Sequence, residues 1–194
     1  MLGTIADSDM SRIFFFDDVN SKQYFFKQFF AGAFTMIAMT DEAFRQLRED
    51  EKRLFLRNEL KEHNKQLVEA AQQAGVATAI DFAIFQNHGY RGLYGGLDQK
   101  AIHQRKGLKK SQKILDHMGS TELAANLFRA TQTEEKLKRD GVNSKQQANT
   151  THFDVGSKVR QTIQELGGTM PEELPTPQVS IKQLENSVKI TEKK

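Results

Sequence analysis

The sequence predicts a mainly α protein: an irregular helical domain with one long N-terminal helix, a glycine-aromatic turn and a flexible C-terminal tail. Apolar residues recur at intervals of three and four over long stretches, and helix-capping residues and glycines punctuate these stretches. Charged residues make up 27% of the chain against 38% hydrophobic residues, which suits helices around a modest core. With 194 residues, one domain is the default expectation.

Residues 1–40 differ from the rest of the chain because they hold eight of its fourteen phenylalanines. The apolar run from Phe29 to Met39 is short of the ~20 residues that a membrane-spanning helix needs. Acidic residues precede this run where a secretory signal would be basic. We therefore predict no membrane segment and no signal peptide, but a phenylalanine-rich leader that forms a strand or hairpin pair, or a remnant, packed on the downstream part of the chain.

A long helix is predicted from Thr40, its N-cap, to Gly75, with Asp41 and Glu42 favourable in its first turn. A thin apolar stripe runs along it: Phe44, Leu47, Leu54, Leu60, Leu67 and Ala71. Such a stripe is typical of a helix with a coiled-coil-like partner. We favour a partner helix in the same chain, and homo-oligomerisation through helix 41–74 is the alternative.

The segment from Phe82 to Met118 combines glycines, aromatic residues and a basic run. Because each glycine disfavours helix and strand interiors, the glycines around Tyr90 and Tyr94 predict a compact turn. A basic helix from Asp98 to about Lys106 should come next, then a second from Leu108 to His117.

Helix-capping and helix-breaking residues predict the remaining helices and the linker. Ser120 predicts the start of a helix that Asp140 and Gly141 close, and Asn143 starts one that Gly167 and Gly168 stop, with Gly156 as a candidate break inside it. Three prolines then indicate a stiff linker, and Ser180 with Gln183 starts a last helix. We accordingly divide the chain into a leader (1–40), a helical domain (41–168) and a linker with tail helix (169–194).

The basic run is the strongest functional signal, because cations beside stackable rings are typical of proteins that bind single-stranded nucleic acid. The candidate binding residues for nucleic acid or a protein partner are Tyr90, Arg91, Tyr94, Lys100, His103, Arg105, Lys106, Lys109, Lys110 and Lys113. An ordinary solvated surface is the alternative interpretation of such a run.

The sequence gives weaker support for a nucleotide-binding site or a metal site. The glycines resemble a phosphate cradle, but neither nucleotide-binding glycine motif is present. His88, His103, His117 and His152 lack metal-site spacing, and without cysteine there is no disulfide and no thiolate site. We expect no cofactor, no metal and no catalytic residues.

Two blocks of sequence carry a family resemblance: FAIFQNHGYRGLYGGLDQKAIHQRKGLKKSQKILDHMGSTELAANLFRATQTEEKLKRDGVNSKQ and ELGGTMPEELPTP. They resemble the C-terminal part of the bacterial DNA-damage-inducible protein D family, from about residue 41 to residue 194. The resemblance implies a cytoplasmic, non-enzymatic protein of the SOS response that acts on the recombination machinery. Members of the family begin with a BRO-type domain associated with DNA binding. Residues 1–40 do not match that domain, so we expect a shortened or rearranged version and carry over no DNA binding from it.

The sequence thus leads to one main hypothesis: a non-enzymatic DNA-damage response protein that modulates recombination through contact with a recombinase, single-stranded DNA, or both. One alternative is a metal-dependent nucleic-acid-processing enzyme that uses the histidines. The other is a structural oligomerisation module built on the long helix.

Overall fold

A computed structural model of the chain describes the backbone of residues 48–191 and the side chains of residues 48–187. The predicted leader (1–40) and the predicted cap at Thr40 lie outside these residues. Within residues 48–191 the protein is mainly α, as predicted, with six α-helices and no strand. The helices are α1 (Glu49–Gln73), α2 (Ala79–Leu93), α3 (Gln99–Arg105), α4 (Ser120–Arg139), α5 (Lys145–Glu165) and α6 (Ile181–Thr191), and 3-10 helices occupy Ile114–His117 and Pro171–Glu173.

The long helix α1 begins later than predicted. Arg48 has extended backbone angles (φ −68°, ψ 159°), so the helix starts at Glu49 and does not run continuously from Thr40. The Glu51 carboxylate accepts the backbone N–H of Arg48 at 2.8 Å, which satisfies one donor that the helix end leaves unpaired. Its end was predicted correctly: the helix ends at Gln73, Ala74 is its C-cap, and Gly75 follows with a positive φ of 85°.

α1 packs within the chain, against α4 and α6. Leu56, Leu60 and Leu67 are buried, whereas Leu54 of the predicted stripe is half-buried. The packing confirms the favoured interpretation of a partner helix in the same chain. Self-association through helix 41–74 stays a prediction.

The predicted glycine-aromatic turn is mostly helix. Gly89 and Gly92 lie inside α2, and the true turn is confined to Gly95 and Gly96, with φ of 60° and 98°. The glycines are needed for close packing, because a β-carbon at Gly89 would overlap the side chains of Arg129 and His152. Glycine in this helix therefore serves its contact with α4 and α5.

α2 and α5 lie side by side in parallel. Asp81 at the start of α2 pairs with Lys145 at the start of α5, and the carbonyl of Leu93 at the end of α2 accepts from Arg160 near the end of α5. Gly156 does not break α5. A β-carbon on Gly156 would lie 2.7 Å from the Gly89 carbonyl oxygen and 2.9 Å from the Leu93 nitrogen, so this glycine sets the close approach of the two helices.

Several boundaries differ by a residue or a turn. The predicted helix from Leu108 to His117 is instead a loop followed by the 3-10 helix Ile114–His117. The N-caps of α4 and α5 are Gly119 and Ser144, one residue from those predicted. The start of α6 is as predicted, since the Gln183 side chain accepts from the Ser180 backbone at 2.8 Å.

The buried side chain of Arg53 ties three parts of the fold together. Its guanidinium donates to the carbonyl oxygens of Met118 at 3.0 Å and of Val179 at 2.8 Å, and to the Asp50 carboxylate at 2.9 Å. Met118 comes directly after the first 3-10 helix and Val179 precedes α6. One α1 residue therefore holds both segments against the helix.

Candidate nucleic-acid interface

The two tyrosines of the predicted site are not on the surface. Tyr90 is 6% exposed and Tyr94 is fully buried, so the predicted stacking platform is wrong. The Tyr94 hydroxyl donates to the Glu122 carboxylate at 2.9 Å and accepts from the Asn126 amide at 2.7 Å. Burial, and then the charge of Glu122, raise the pKa of Tyr94 well above its usual value.

Tyr90 is held by a cation as well as by packing. The Arg129 guanidinium lies over its ring, 5.0 Å from the centroid. Arg129 also contacts His152, whose Nδ1 lies 2.9 Å from the carbonyl oxygen of Phe85. If Nδ1–H donates to that carbonyl, Nε2 remains as the acceptor for Arg129, and the ring is neutral. Burial, then the charge of Arg129, hold the pKa of His152 well below its ordinary value.

Lys106 is also not a surface cation. Its ammonium lies 2.8 Å from the Glu122 carboxylate, and both side chains are buried. Burial raises the pKa of Glu122, while Lys106 and Tyr94 oppose the rise. Lys106 therefore serves the core and is lost from the predicted interface.

The other predicted cations remain on the surface. Arg91 is exposed and lies 3.6 Å from Asp98. Arg105 is exposed, and its Nε donates to the backbone carbonyl of Glu172 at 2.7 Å. The remaining four are exposed and form no ion pair with any residue between 48 and 187; we call them the lysine surface: Lys100, Lys109, Lys110 and Lys113.

Local hydrogen bonds fix the loop that carries most of this surface. Asp98 caps α3 by accepting the N–H of Ala101 at 2.9 Å, and Gly107 ends the helix at a φ of 64°. His103 Nε2 lies 3.1 Å from the carbonyl oxygens of both Lys109 and Gln112. His103, one of the predicted binding residues, therefore anchors the loop to α3, and the lysines extend from a defined backbone.

The four histidines considered for catalysis do not form one cluster. His88 is close enough to His152 for its charge to lower the pKa of His152, and His103 acts on the pKa of His117 in the same way. His103 holds the loop, His117 lies in the first 3-10 helix, and His152 is buried with Arg129. Burial lowers the pKa of both His88 and His117. In the part of the chain that the structure describes, no three histidine, aspartate or glutamate side chains are grouped to hold a metal ion.

Sequence reasoning missed a further charged contact beside Arg105. Arg160 of α5 makes two hydrogen bonds to the Glu172 carboxylate, each 2.7 Å long. The two residues are separated by the turn after α5, so no helical spacing links them. No sequence signal identifies this pair.

With the geometry in place, comparison with known proteins identifies the family. Residues 47–184 match the family described as the DinD C-terminal domain. The chain belongs to this family. The matched residues cover α1 to α5 and the first four residues of α6, and they include both arginine contacts of Glu172.

A curated relative supports the assignment. The chain is 97% identical over 154 residues to DNA damage-inducible protein D of Escherichia coli (strain K12), a match that covers 79% of this chain and 56% of the relative. The chain thus spans little more than half of that protein's length. No solved structure matches the chain. Among the described helices of this family member, none combines the length and apolar character needed to cross a membrane.

Proposed function

We propose that this chain is a non-enzymatic helical module of the cytoplasmic DNA-damage response that contacts single-stranded DNA, bare or within a recombinase filament, and thereby modulates recombination. The lysine surface is the observation that carries the proposal. Its four cations have no ion-pair partner in the described residues, and hydrogen bonds fix the loop beneath three of them. The name of the E. coli relative supports the damage-response setting.

Phosphate is the group that such a surface suits best. Exposed lysines neutralise backbone phosphates and release the counterions condensed on the strand, which makes binding independent of sequence and sensitive to salt. With both tyrosines buried, base stacking has no contribution from Tyr90 or Tyr94. Charge is therefore the main source of affinity in this proposal, and we expect little preference between bases.

In a filament of recombinase on single-stranded DNA, the phosphates of the strand form an extended row of negative charges that the lysine surface can contact. The lysine surface comprises one residue of α3 and three residues of the loop after it, so we expect it to contact only a few phosphates. Binding there would compete with other proteins for the same stretch of backbone. This competition is the route by which a module without catalysis would modulate recombination.

The test is salt-dependent binding of a labelled oligothymidylate, followed by fluorescence anisotropy. If each of the four lysines neutralises a phosphate, log K should fall with log salt at a slope of about −3, roughly −0.7 per contact. Changing Lys109 or Lys110 to glutamine should weaken binding and reduce the slope by about 0.7.

The matched control is Lys138→Gln, because Lys138 is also exposed but pairs with Glu134 at 2.7 Å. This variant should leave the slope unchanged. A second titration with recombinase filaments assembled on the same oligonucleotide addresses the partner. Absence of lysine-dependent binding to both bare strand and filament at low salt would refute the proposal.

A further inference from the structure

We propose that Arg105 and Arg160 form a second phosphate site beside the lysine surface, and that the chain's own Glu172 occupies it in this structure. The site would bind a backbone phosphate of the nucleic acid when Glu172 withdraws, so Glu172 acts as an internal competitor. This inference rests on the proposed function for its ligand. Its own basis is the geometry around Glu172.

Arg160 is positioned independently of Glu172. Its Nη1 donates to the carbonyl oxygen of Leu93, at the end of α2, at 3.2 Å. The guanidinium lies against the bare backbone of Gly95, where a β-carbon would come within 2.9 Å of Cζ. Gly95 also has a φ of 60°, which favours glycine. The guanidinium is therefore held by a hydrogen bond to Leu93 and by packing against Gly95, and neither contact involves a carboxylate.

The Glu172 carboxylate is placed as a phosphate would be. It accepts two hydrogen bonds of 2.7 Å from the two terminal nitrogens of Arg160. A planar guanidinium recognises two oxygens of a phosphate in the same bidentate manner. Burial is the largest single influence and disfavours the charged carboxylate. The Arg160 hydrogen bonds, a backbone hydrogen bond and the charges of Arg160 and Arg105 together outweigh it and lower the pKa of Glu172, so the group stays anionic.

Arg105 joins the site to the lysine surface. Its Nε donates to the backbone carbonyl of Glu172 at 2.7 Å, so movement of this one residue frees both arginines. Arg105 ends α3, the helix that also carries Lys100, and the loop of Lys109 and Lys110 comes directly after it. The same helix and loop thus carry both Arg105 and the lysine surface.

The segment that carries Glu172 is short, and its Pro171 is buried. It is a three-residue 3-10 helix, Pro171–Glu173, that comes after the Gly167 and Gly168 turn. The ion pair is partly open to solvent, with 25% of the Arg160 side chain and 13% of the Glu172 side chain exposed. Solvent access weakens such a pair, whereas a polyanion offers the arginines several phosphates at once.

The variant that tests the competition is Glu172→Gln, which removes the charge and keeps the side-chain size. Its matched control is Glu173→Gln, the same change one residue along at an exposed carboxylate without a hydrogen bond to either arginine. In the oligothymidylate assay, Glu172→Gln should bind at least several-fold more tightly, with a slope steeper by about 0.7–1.4 for one or two added contacts. Glu173→Gln should change affinity less than two-fold. Equal effects of the two variants would overturn the inference.

Adding Arg160→Gln to Glu172→Gln should remove the Arg160 contact, so that the gain in slope falls by about 0.7 and only a contact from Arg105 can remain. Circular dichroism melting confirms that each variant is folded. If the double variant keeps the full gain, the extra affinity does not come from Arg160 and the site is refuted.

A readout without DNA separates this inference from the proposed function. The Nε–H signals of Arg105 and Arg160 can be followed by NMR during titration with inorganic triphosphate. Saturable shifts at lower triphosphate concentration in Glu172→Gln than in Glu173→Gln would support the site. If DNA binding at the same time does not depend on the lysines, only the proposed function is refuted. Lysine-dependent DNA binding with equal triphosphate responses in the two variants would refute this inference alone.

Discussion

Replacing Gly156 with alanine tests the contact between α2 and α5 by the sign of its effect. In an ordinary helix interior, glycine to alanine stabilises by about 1 kcal/mol. Here the new methyl would meet three backbone atoms of α2: the oxygen of Gly89 at 2.7 Å, the nitrogen of Leu93 at 2.9 Å and the carbonyl carbon of Gly92 at 3.2 Å. Carbon contacts are most favourable at about 3.5–4.0 Å, and a backbone cannot rotate away as a side chain can.

The helices must therefore separate, and overpacking of this kind costs about 1–3 kcal/mol. Because all three contacts are with backbone, we take the upper part of that range and subtract the gain in helix propensity. The net loss in free energy of unfolding is about 2 kcal/mol, or a fall in Tm of about 4–8 °C for a chain of this size.

Urea unfolding followed by far-UV circular dichroism measures the effect. Thr150→Ala is the matched control, since Thr150 is exposed on the same helix and the change should stabilise by no more than about 0.7 kcal/mol. If Gly156→Ala also raises stability, α2 and α5 are not in backbone contact and the reasoning fails.

Three further predictions concern the core. Leu60→Ala should cost about 2–5 kcal/mol in urea unfolding because Leu60 is fully buried, and a loss no larger than that of half-buried Leu54→Ala would contradict the packing of α1. Glu122→Ala should cost about 3–5 kcal/mol because it leaves the buried Lys106 ammonium unpaired, and Lys106→Met in the same chain should recover most of the loss; a double variant no better than the single one would argue against the pair. Stability should fall as the pH drops below about 6.5, because His152 gains a proton on unfolding that it does not bind when folded, at up to about 1.4 kcal/mol per pH unit. The pKa values of His88 and His117 are also lowered, so both residues add to this pH dependence with the same sign. His152→Gln should therefore reduce the slope of stability against pH between about pH 5 and 6.5 without abolishing it. An unchanged slope would show that His152 is not buried and neutral.

The elements that were predicted correctly are those defined by local chemistry. Asp98 caps α3, Gly75 and Gly141 end their helices in positive φ, and Ser180 with Gln183 starts α6. Each of these signals lies within a few residues of the boundary that it sets, so sequence alone suffices. Neighbouring cap candidates are harder to separate, which explains the one-residue error at Ser144.

The sequence-based predictions were wrong where contacts with residues distant in the sequence determine the structure. Gly89 is unfavourable in a helix by local rules, but Arg129 and His152 leave no room for a side chain there. Tyr94 was expected on the surface, but Glu122 and Asn126, about thirty residues away, supply partners for its hydroxyl in the core. Nothing near these residues in the sequence indicates those contacts.

The same division holds for the candidate site. The exposure of Lys109 and Lys110 is expected from a basic run beside apolar positions, and two of these, Ile102 and Ile114, are buried. Lys106 belongs to the same run by composition but reaches Glu122 on the next long helix. A charge pattern thus predicts a basic surface, but cannot tell which of its cations has an internal counter-ion.

The position of Arg53 makes the last helix part of one cooperative folding unit. The Arg53 guanidinium donates to the carbonyls of both Met118 and Val179, and the residue is only 1% exposed. If the segment at Val179 opens, this buried cation therefore loses one of its hydrogen-bond acceptors. An unpaired buried donor is costly, so the segment before α6 should not open independently of α1. Amide hydrogens at the start of α6 should therefore exchange at rates close to those of α1, and cleavage of the chain just before Val179 should lower the protection of both.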